Sequence, residues 1–75
     1  MQLKKYRFEI ISDVSGRDGI GIEIYRDNEL IVEIFRDDTQ KVRTITNYKK
    51  DIPLELMEEC IKIFRAEIPW DFIDD

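Results

Sequence analysis

The chain nearly repeats itself at a spacing of ten residues. Residues 22–28 read IEIYRDN and residues 32–38 read VEIFRDD. Within each copy apolar and polar side chains alternate, which is the period of a strand with one buried face and not of a helix. The first copy ends in Arg26-Asp27-Asn28, where Asp and Asn are turn residues. The repeat therefore reads as the two arms of a hairpin, with matched Glu23 and Glu33, Tyr25 and Phe35, Arg26 and Arg36. A two-residue loop at Asp27-Asn28 sets Ile22 opposite Glu33 and Glu23 opposite Val32, mixing apolar and charged residues on both faces. A three-residue loop, Arg26-Asp27-Asn28, pairs Ile24 with Leu30, Ile22 with Val32 and Ile20 with Ile34. Asn28 then takes the left-handed position that Asn tolerates. That register is the expected one.

The same alternation extends to both sides. In LKKYRFEIIS, Tyr6, Phe8 and Ile10 point one way and Lys5, Arg7 and Glu9 the other. In KVRTITNY, either Val42, Thr44 and Thr46 or else Ile45 faces in. Strands are expected at roughly 3–12, 19–26, 29–36 and 40–48. If Ile10 meets Ile20, Arg7 lies opposite Glu23. If Ile34 meets Val42, Glu33 lies opposite Arg43 and Ile31 opposite Ile45. The repeated glutamates then read as cross-strand ion pairs on a solvated face.

After residue 50 the period changes. DIPLELMEECIKIFRAEIPW reads as a helix over roughly 53–67, with Pro53 in the first turn and Glu55, Glu58 and Glu59 near the positive end of the helix dipole. Leu54, Met57, Ile61, Phe64 and Ile68 form its apolar stripe, with Leu56, Cys60 and Ile63 beside it. Pro69 ends it. The tail, 68–73, holds Ile68, Trp70, Phe72 and Ile73, so it is expected to fold back with Trp70 mostly buried and Asp74 and Asp75 in water. The expected fold is α+β: a four-stranded antiparallel meander with one C-terminal helix on its apolar face, ββββα in two layers, one domain over 1–75.

Composition bounds the chemistry. There is no His, and Ser12 and Ser15 are the only serines. Imidazole bases, Ser-His-Asp and Cys-His arrangements and the commonest metal ligand are all absent. Cys60 is the single cysteine, which allows neither an internal disulfide nor a thiolate zinc site, and reads as a small buried hydrophobe. No segment reads as a signal peptide or approaches the roughly 20 apolar residues of a membrane span, so a cytoplasmic setting without membrane contact is expected. Residues 1–50 carry ten Lys and Arg against nine Asp and Glu, whereas residues 51–75 carry two against eight. The net charge of −5 thus comes from the last third, and it argues against sequence-independent nucleic-acid binding.

Two surfaces are candidates for a protein partner or for a second copy in a homodimer. One is the outward sheet face, where Tyr25, Ile31, Phe35 and Ile45 are flanked by Arg43. The other is the acidic end, represented by Glu55, Glu59 and Asp71. DVSGRDGIG, residues 13–21, holds all three glycines. It leads into a strand and not into a helix, and Arg17 stands where an EF-hand would need a ligand, so a connecting loop is expected there. Asp27, Asp37 and Asp38 read as turn residues. No catalytic residue, cofactor or metal site is expected. The functional expectation is a small non-enzymatic protein-interaction module. The alternatives are an inhibitor or immunity-type protein using the acidic third against a basic partner, and a small-ligand binder or carboxylate-based enzyme at the 13–21 loop.

Overall fold

The elements run β1 (Tyr6–Asp13), β2 (Gly19–Arg26), β3 (Glu29–Asp37), β4 (Val42–Asn47) and α1 (Leu54–Glu67) in a computed structural model that describes residues 5–73. The strands form one antiparallel sheet in the order β1-β2-β3-β4, and α1 crosses one face over β2 and β3. The fold is the α+β two-layer arrangement that the alternation implies. The expected first residues of β1, at 3 and 4, and the exposure of Asp74 and Asp75 lie outside the described residues.

The β2–β3 hairpin corrects the expected register. The turn has two residues, not three: Arg26 pairs with Glu29, and Asp27 and Asn28 both take left-handed backbone angles, with φ of 49° and 67°. Such a turn suits the twist of a hairpin. The clash that argued against it is removed by a bulge: Tyr25 pairs with Leu30 but Ile24 pairs with Val32, so Ile31 is an extra residue on β3. One extra residue restores the phase, and Ile22 meets Ile34. The bulge also exchanges two side chains. Leu30, opposite Tyr25, is on the outward face, and Ile31 joins the core.

The other two pairings shift as well. Ile10 meets Ile22 and Phe8 meets Ile24, so Arg7 lies opposite Tyr25 rather than Glu23. Ile34 meets Ile45 and Arg36 meets Arg43, which puts Ile45 and Arg43 on the helix face. The expected cross-strand Arg–Glu pairs do not form. Glu9, Glu23 and Glu33 instead lie side by side across three strands, with Thr46 at the end of the row.

The helix starts after Pro53, which is its N-cap, and its buried line is Leu56, Cys60 and Phe64, continued by Ile68. These residues are four apart and share a face. The expected stripe was centred too far round: Leu54 is exposed, and Met57, Ile61 and Ile63 flank the line. Against it pack Ile22, Ile24, Ile31, Val32 and Ile34. At the helix end the Ile68 N–H bonds Phe64 O at 2.9 Å, and Pro69 prevents continuation.

Candidate functional site

The expected outward apolar patch does not exist as such. Phe35 faces outward yet is fully buried. Its ring lies flat across Gly19 and Gly21, where a Cβ would come within 2.9 Å of the ring at either position. These glycines have no positive φ; what they supply is room for the β3 backbone, whose Arg36 and Ile34 carbonyls would lie 2.0 and 2.3 Å from a Cβ at Gly19 and Gly21, and for the ring. The Arg17 guanidinium covers the other side, 3.6 Å from the ring centroid. It donates to Glu33 at 2.7 Å and lies 3.4 Å from Asp13. The bond to Glu33 pushes the Arg17 pKa up from a value at which the guanidinium is already a cation. The Asp13 carboxyl is held below its usual value, chiefly by the Ser15 N–H and hydroxyl. The 13–21 segment is thus a strap over an aromatic ring. It is latched to the β3–β4 loop by the Asp38 N–H, which donates to Asp18 O at 2.7 Å.

The carboxylate row has a separate partner at each position. Arg7 pairs with Glu9, the Tyr25 hydroxyl donates to Glu23 at 2.7 Å, and Arg17 holds Glu33. The hydrogen bond to Glu23 pushes the Tyr25 phenol pKa up. Among the described residues no group of three or more His, Cys, Asp or Glu side chains is arranged to hold a metal ion.

The tail is tied to the sheet by polar bonds rather than by burial of its indole. Arg36 and Asp38 form a buried pair with contacts of 3.0 and 3.1 Å, and Arg36 donates to Pro69 O at 2.7 Å. Asp38 also accepts the Ile73 N–H. Burial draws the Asp38 carboxyl up, but the bonds from Arg36 and Ile73 outweigh it and leave its pKa below the ordinary value. Trp70 is 45% exposed, contrary to expectation. Its ring sits between Arg43, at 3.6 Å, and Arg65, at 4.4 Å, and Phe72 lies on the other side of Arg43 at 4.2 Å. Cation–π contacts serve the indole where a second helix would otherwise be needed to bury it.

The residues singled out in the sequence are scattered over several surfaces. Tyr25 is half-buried on the outward face beneath Arg7. Ile31 is in the core, and Phe35 lies under the strap. Ile45 and Arg43 line a groove of about 160 Å³ between β4 and α1, with Phe64 and Trp70. Glu59 faces the opposite, β1 side of the helix, Glu55 is exposed one turn earlier, and Asp71 is exposed in the tail. Asp37 is a turn residue as expected, accepting the Thr39 and Gln40 N–H groups at 3.0 Å. Asp38 is not.

What the sequence reading missed is the β1 flank. A 14-residue helix is about 10 Å wide, whereas four strands at about 4.8 Å spacing are wider. One helix cannot cover the whole sheet, and that arithmetic was available from the sequence. On the helix face of β1, Phe8 is 38% and Ile10 51% exposed. Phe8 borders an apolar groove of about 200 Å³ between β1 and α1, lined also by Tyr6, Ile24, Cys60 and Ile63, with Arg7 and Glu59 at its rim. Burial pushes the Cys60 thiol up to about 11, so it stays protonated and lines the groove as an apolar group. β1 is also an edge strand of eight residues, with no neighbour on its outer side among the described residues. A cavity of about 400 Å³ lies between the β2–β3 turn and the segment before α1, but its walls mix Arg26, Lys49 and Lys50 with Asp27, Glu29 and Asp51. Among the described residues no helix is long and apolar enough to cross a membrane. No known protein family, characterised protein or solved structure matches the chain.

Proposed function

We propose that the protein is an interaction module whose docking surface is the edge of β1 with its adjoining apolar groove. The observation that carries this is the coincidence of two unsatisfied features on one strand. Among the described residues, β1 offers a row of unpaired backbone groups along its outer side. Its Phe8 and Ile10 side chains are left 38% and 51% exposed. A partner that adds a strand there gains main-chain bonds and apolar contact together, which is the strand-addition mode of recognition. The other edge, β4, is shorter, and its own Arg43 is already stacked between tail rings. The reading assigns no chemistry to the carboxylate row, because each of its members has a partner inside the fold.

The test is site-directed photocrosslinking in living cells. A photoreactive phenylalanine analogue at position 8 should give a discrete protein adduct. The same analogue at Glu58, exposed on the helix, should not. Equal labelling at both positions, or none at either, would remove β1 from the docking surface.

A further inference from the structure

We infer that the occupant of the β1 edge is a second copy of the same chain, paired antiparallel about a two-fold axis at Phe8. The inference rests on the interaction reading above and adds the partner and the register.

The backbone settles which groups are free. Lys5 O accepts the Asp27 N–H at 3.2 Å, so Lys5 and the residues two and four further on, Arg7 and Glu9, address β2. The N–H and C=O groups of Tyr6, Phe8, Ile10 and Ser12 therefore address the open edge. Two identical strands that extend one sheet antiparallel are related by a two-fold axis normal to it, and directly opposite residues share a face. The axis must then pass through a residue position, and the charges choose which.

An axis at Phe8 sets Arg7 of each copy opposite Glu9 of the other. Both contacts fall in the closely spaced positions without backbone bonds, where side chains approach best. Phe8 meets Phe8, and Tyr6 meets Ile10, each pair exchanging backbone bonds through groups already aimed at the edge. On the helix face these pairs cover Phe8 and Ile10, which a single helix leaves 38% and 51% exposed, and the half-buried Tyr6 beside them. An axis at Arg7 sets Arg7 against Arg7. An axis at Glu9 sets Glu9 against Glu9. An axis at Ile10 sets Arg7 against Asp13, which already holds Ser15 and Arg17, and leaves Glu9 opposite Ile11. Of these four axes, only the one at Phe8 sets both Arg7 and Glu9 opposite a side chain of the other sign, with Lys5 opposite Ile11. Within one chain Arg7 and Glu9 pair with each other at half exposure; in the dimer the same four groups close a ring across the seam. The product is an eight-stranded sheet with both helices on one side.

The test is sedimentation of the full chain over a hundredfold concentration range, with two charge reversals, Arg7→Glu and Glu9→Arg. Both side chains are exposed, so the fold does not depend on them. The wild type should sediment as a dimer at the upper end. Each reversal alone sets like charges across the seam twice, and should weaken the dimer by about tenfold or more. An equimolar mixture of the two reversals should recover the dimer, since one copy then carries two acids and the other two bases at the paired positions. A wild-type dimer indifferent to both reversals, or a mixture no tighter than its components, would overturn the register. A wild type monomeric throughout would overturn the second copy as the occupant. In that case a position-8 crosslink to a different protein leaves the interaction reading standing, and no crosslink removes both.

Discussion

Tyr25 and Phe35 hold the same place in two nearly identical heptapeptides, yet they live differently. Tyr25 is half-buried, with its hydroxyl on Glu23 and the Arg7 guanidinium 4.1 Å from its ring centroid. Phe35 is fully buried, seated on two glycines and roofed by Arg17. Arg26 is exposed beside a turn, whereas Arg36 is buried in a bidentate pair with Asp38. Asp27 bends the chain with a left-handed backbone, and Asp37 binds the N–H groups of the next loop. The difference comes from what stands beside each copy. The first ends at a tight turn. The second, in the adjoining inner strand, has Gly19 and Gly21 on one side and two latched loops at its end. Equal letters set equal strand phase; the neighbours set burial.

The largest effect should come from the aromatic pair. Phe35→Ala removes a ring that nothing else can replace on that face, and should cost about 3–5 kcal/mol in urea unfolding. Tyr25→Ala should cost clearly less, since its ring is already partly wet. Equal losses would mean that the strap of residues 14–18 does not seal Phe35.

The arginine pair comes next. Arg36→Ala leaves Asp38 buried without its cation, and should cost about 3 kcal/mol. Arg26→Ala should stay within about 0.5 kcal/mol. Restoring balance with Arg36→Ala and Asp38→Ala together should recover part of the loss, and a double-mutant cycle reads the coupling. Purely additive losses would show that the two groups act separately.

Acid should separate the same arginines by another route. The Asp38 carboxyl titrates below its ordinary value of 3.8 in the folded chain. Its contribution is therefore fully present above that value and is lost as pH falls through the lower folded one. Wild-type stability should fall on acidification below about pH 4, and Asp38→Asn should flatten that part of the curve. An Asp38→Asn profile parallel to the wild type would assign the acid sensitivity elsewhere.

Much of this architecture was legible because strand phase is a local property. Alternation at Tyr6, Phe8 and Ile10, and again at Ile20, Ile22 and Ile24, fixes which face is apolar without any knowledge of the neighbours. Register was not local. The expected three-residue loop and the observed two-residue turn with a bulge both put Ile22 inward. They differ by two residues in register, with Ile22 opposite Val32 in the first and Ile34 in the second, and in whether Leu30 or Ile31 enters the core; both keep apolar opposite apolar, so hydrophobicity does not choose between them. The strap was hidden for a different reason: glycines read as flexible connection when their role is to make room for a ring supplied by β3. The tail was half legible. Its aromatic content showed that it is tied down, but the tie is made by Arg36, Lys41, Arg43 and Asp38, from sequence positions far away. The exposed flank of β1 follows from the width of one helix, which is geometry and not pattern.

The smallest effect, and the one with the least intuitive sign, concerns the glutamates of the repeat. Glu23 lies directly between Glu9 and Glu33, so it faces a like charge on each side. Like charges directly opposite across strands are destabilising by a few tenths of a kcal/mol each. Its own partner is the Tyr25 hydroxyl, which a neutral amide oxygen can also receive. Glu23→Gln should therefore leave stability unchanged or raise it by up to about 0.5 kcal/mol. Glu33→Gln differs, because Glu33 is the buried anion that fixes Arg17 over Phe35. Asp13 remains near the guanidinium but is more exposed and lies farther away, at 3.4 Å. Glu33→Gln should cost about 1 kcal/mol, as loss of a charge-assisted bond does. Spectrophotometric titration gives an independent reading. The Tyr25 phenol should titrate lower in Glu23→Gln than in the wild type, since the bond and charge that raise it are weakened. If Glu23→Gln destabilised the chain more than Glu33→Gln, the two copies would be alike at this position. The contrast between a copy that ends at a tight turn and one that is seated under the strap would then hold for the aromatics and arginines alone.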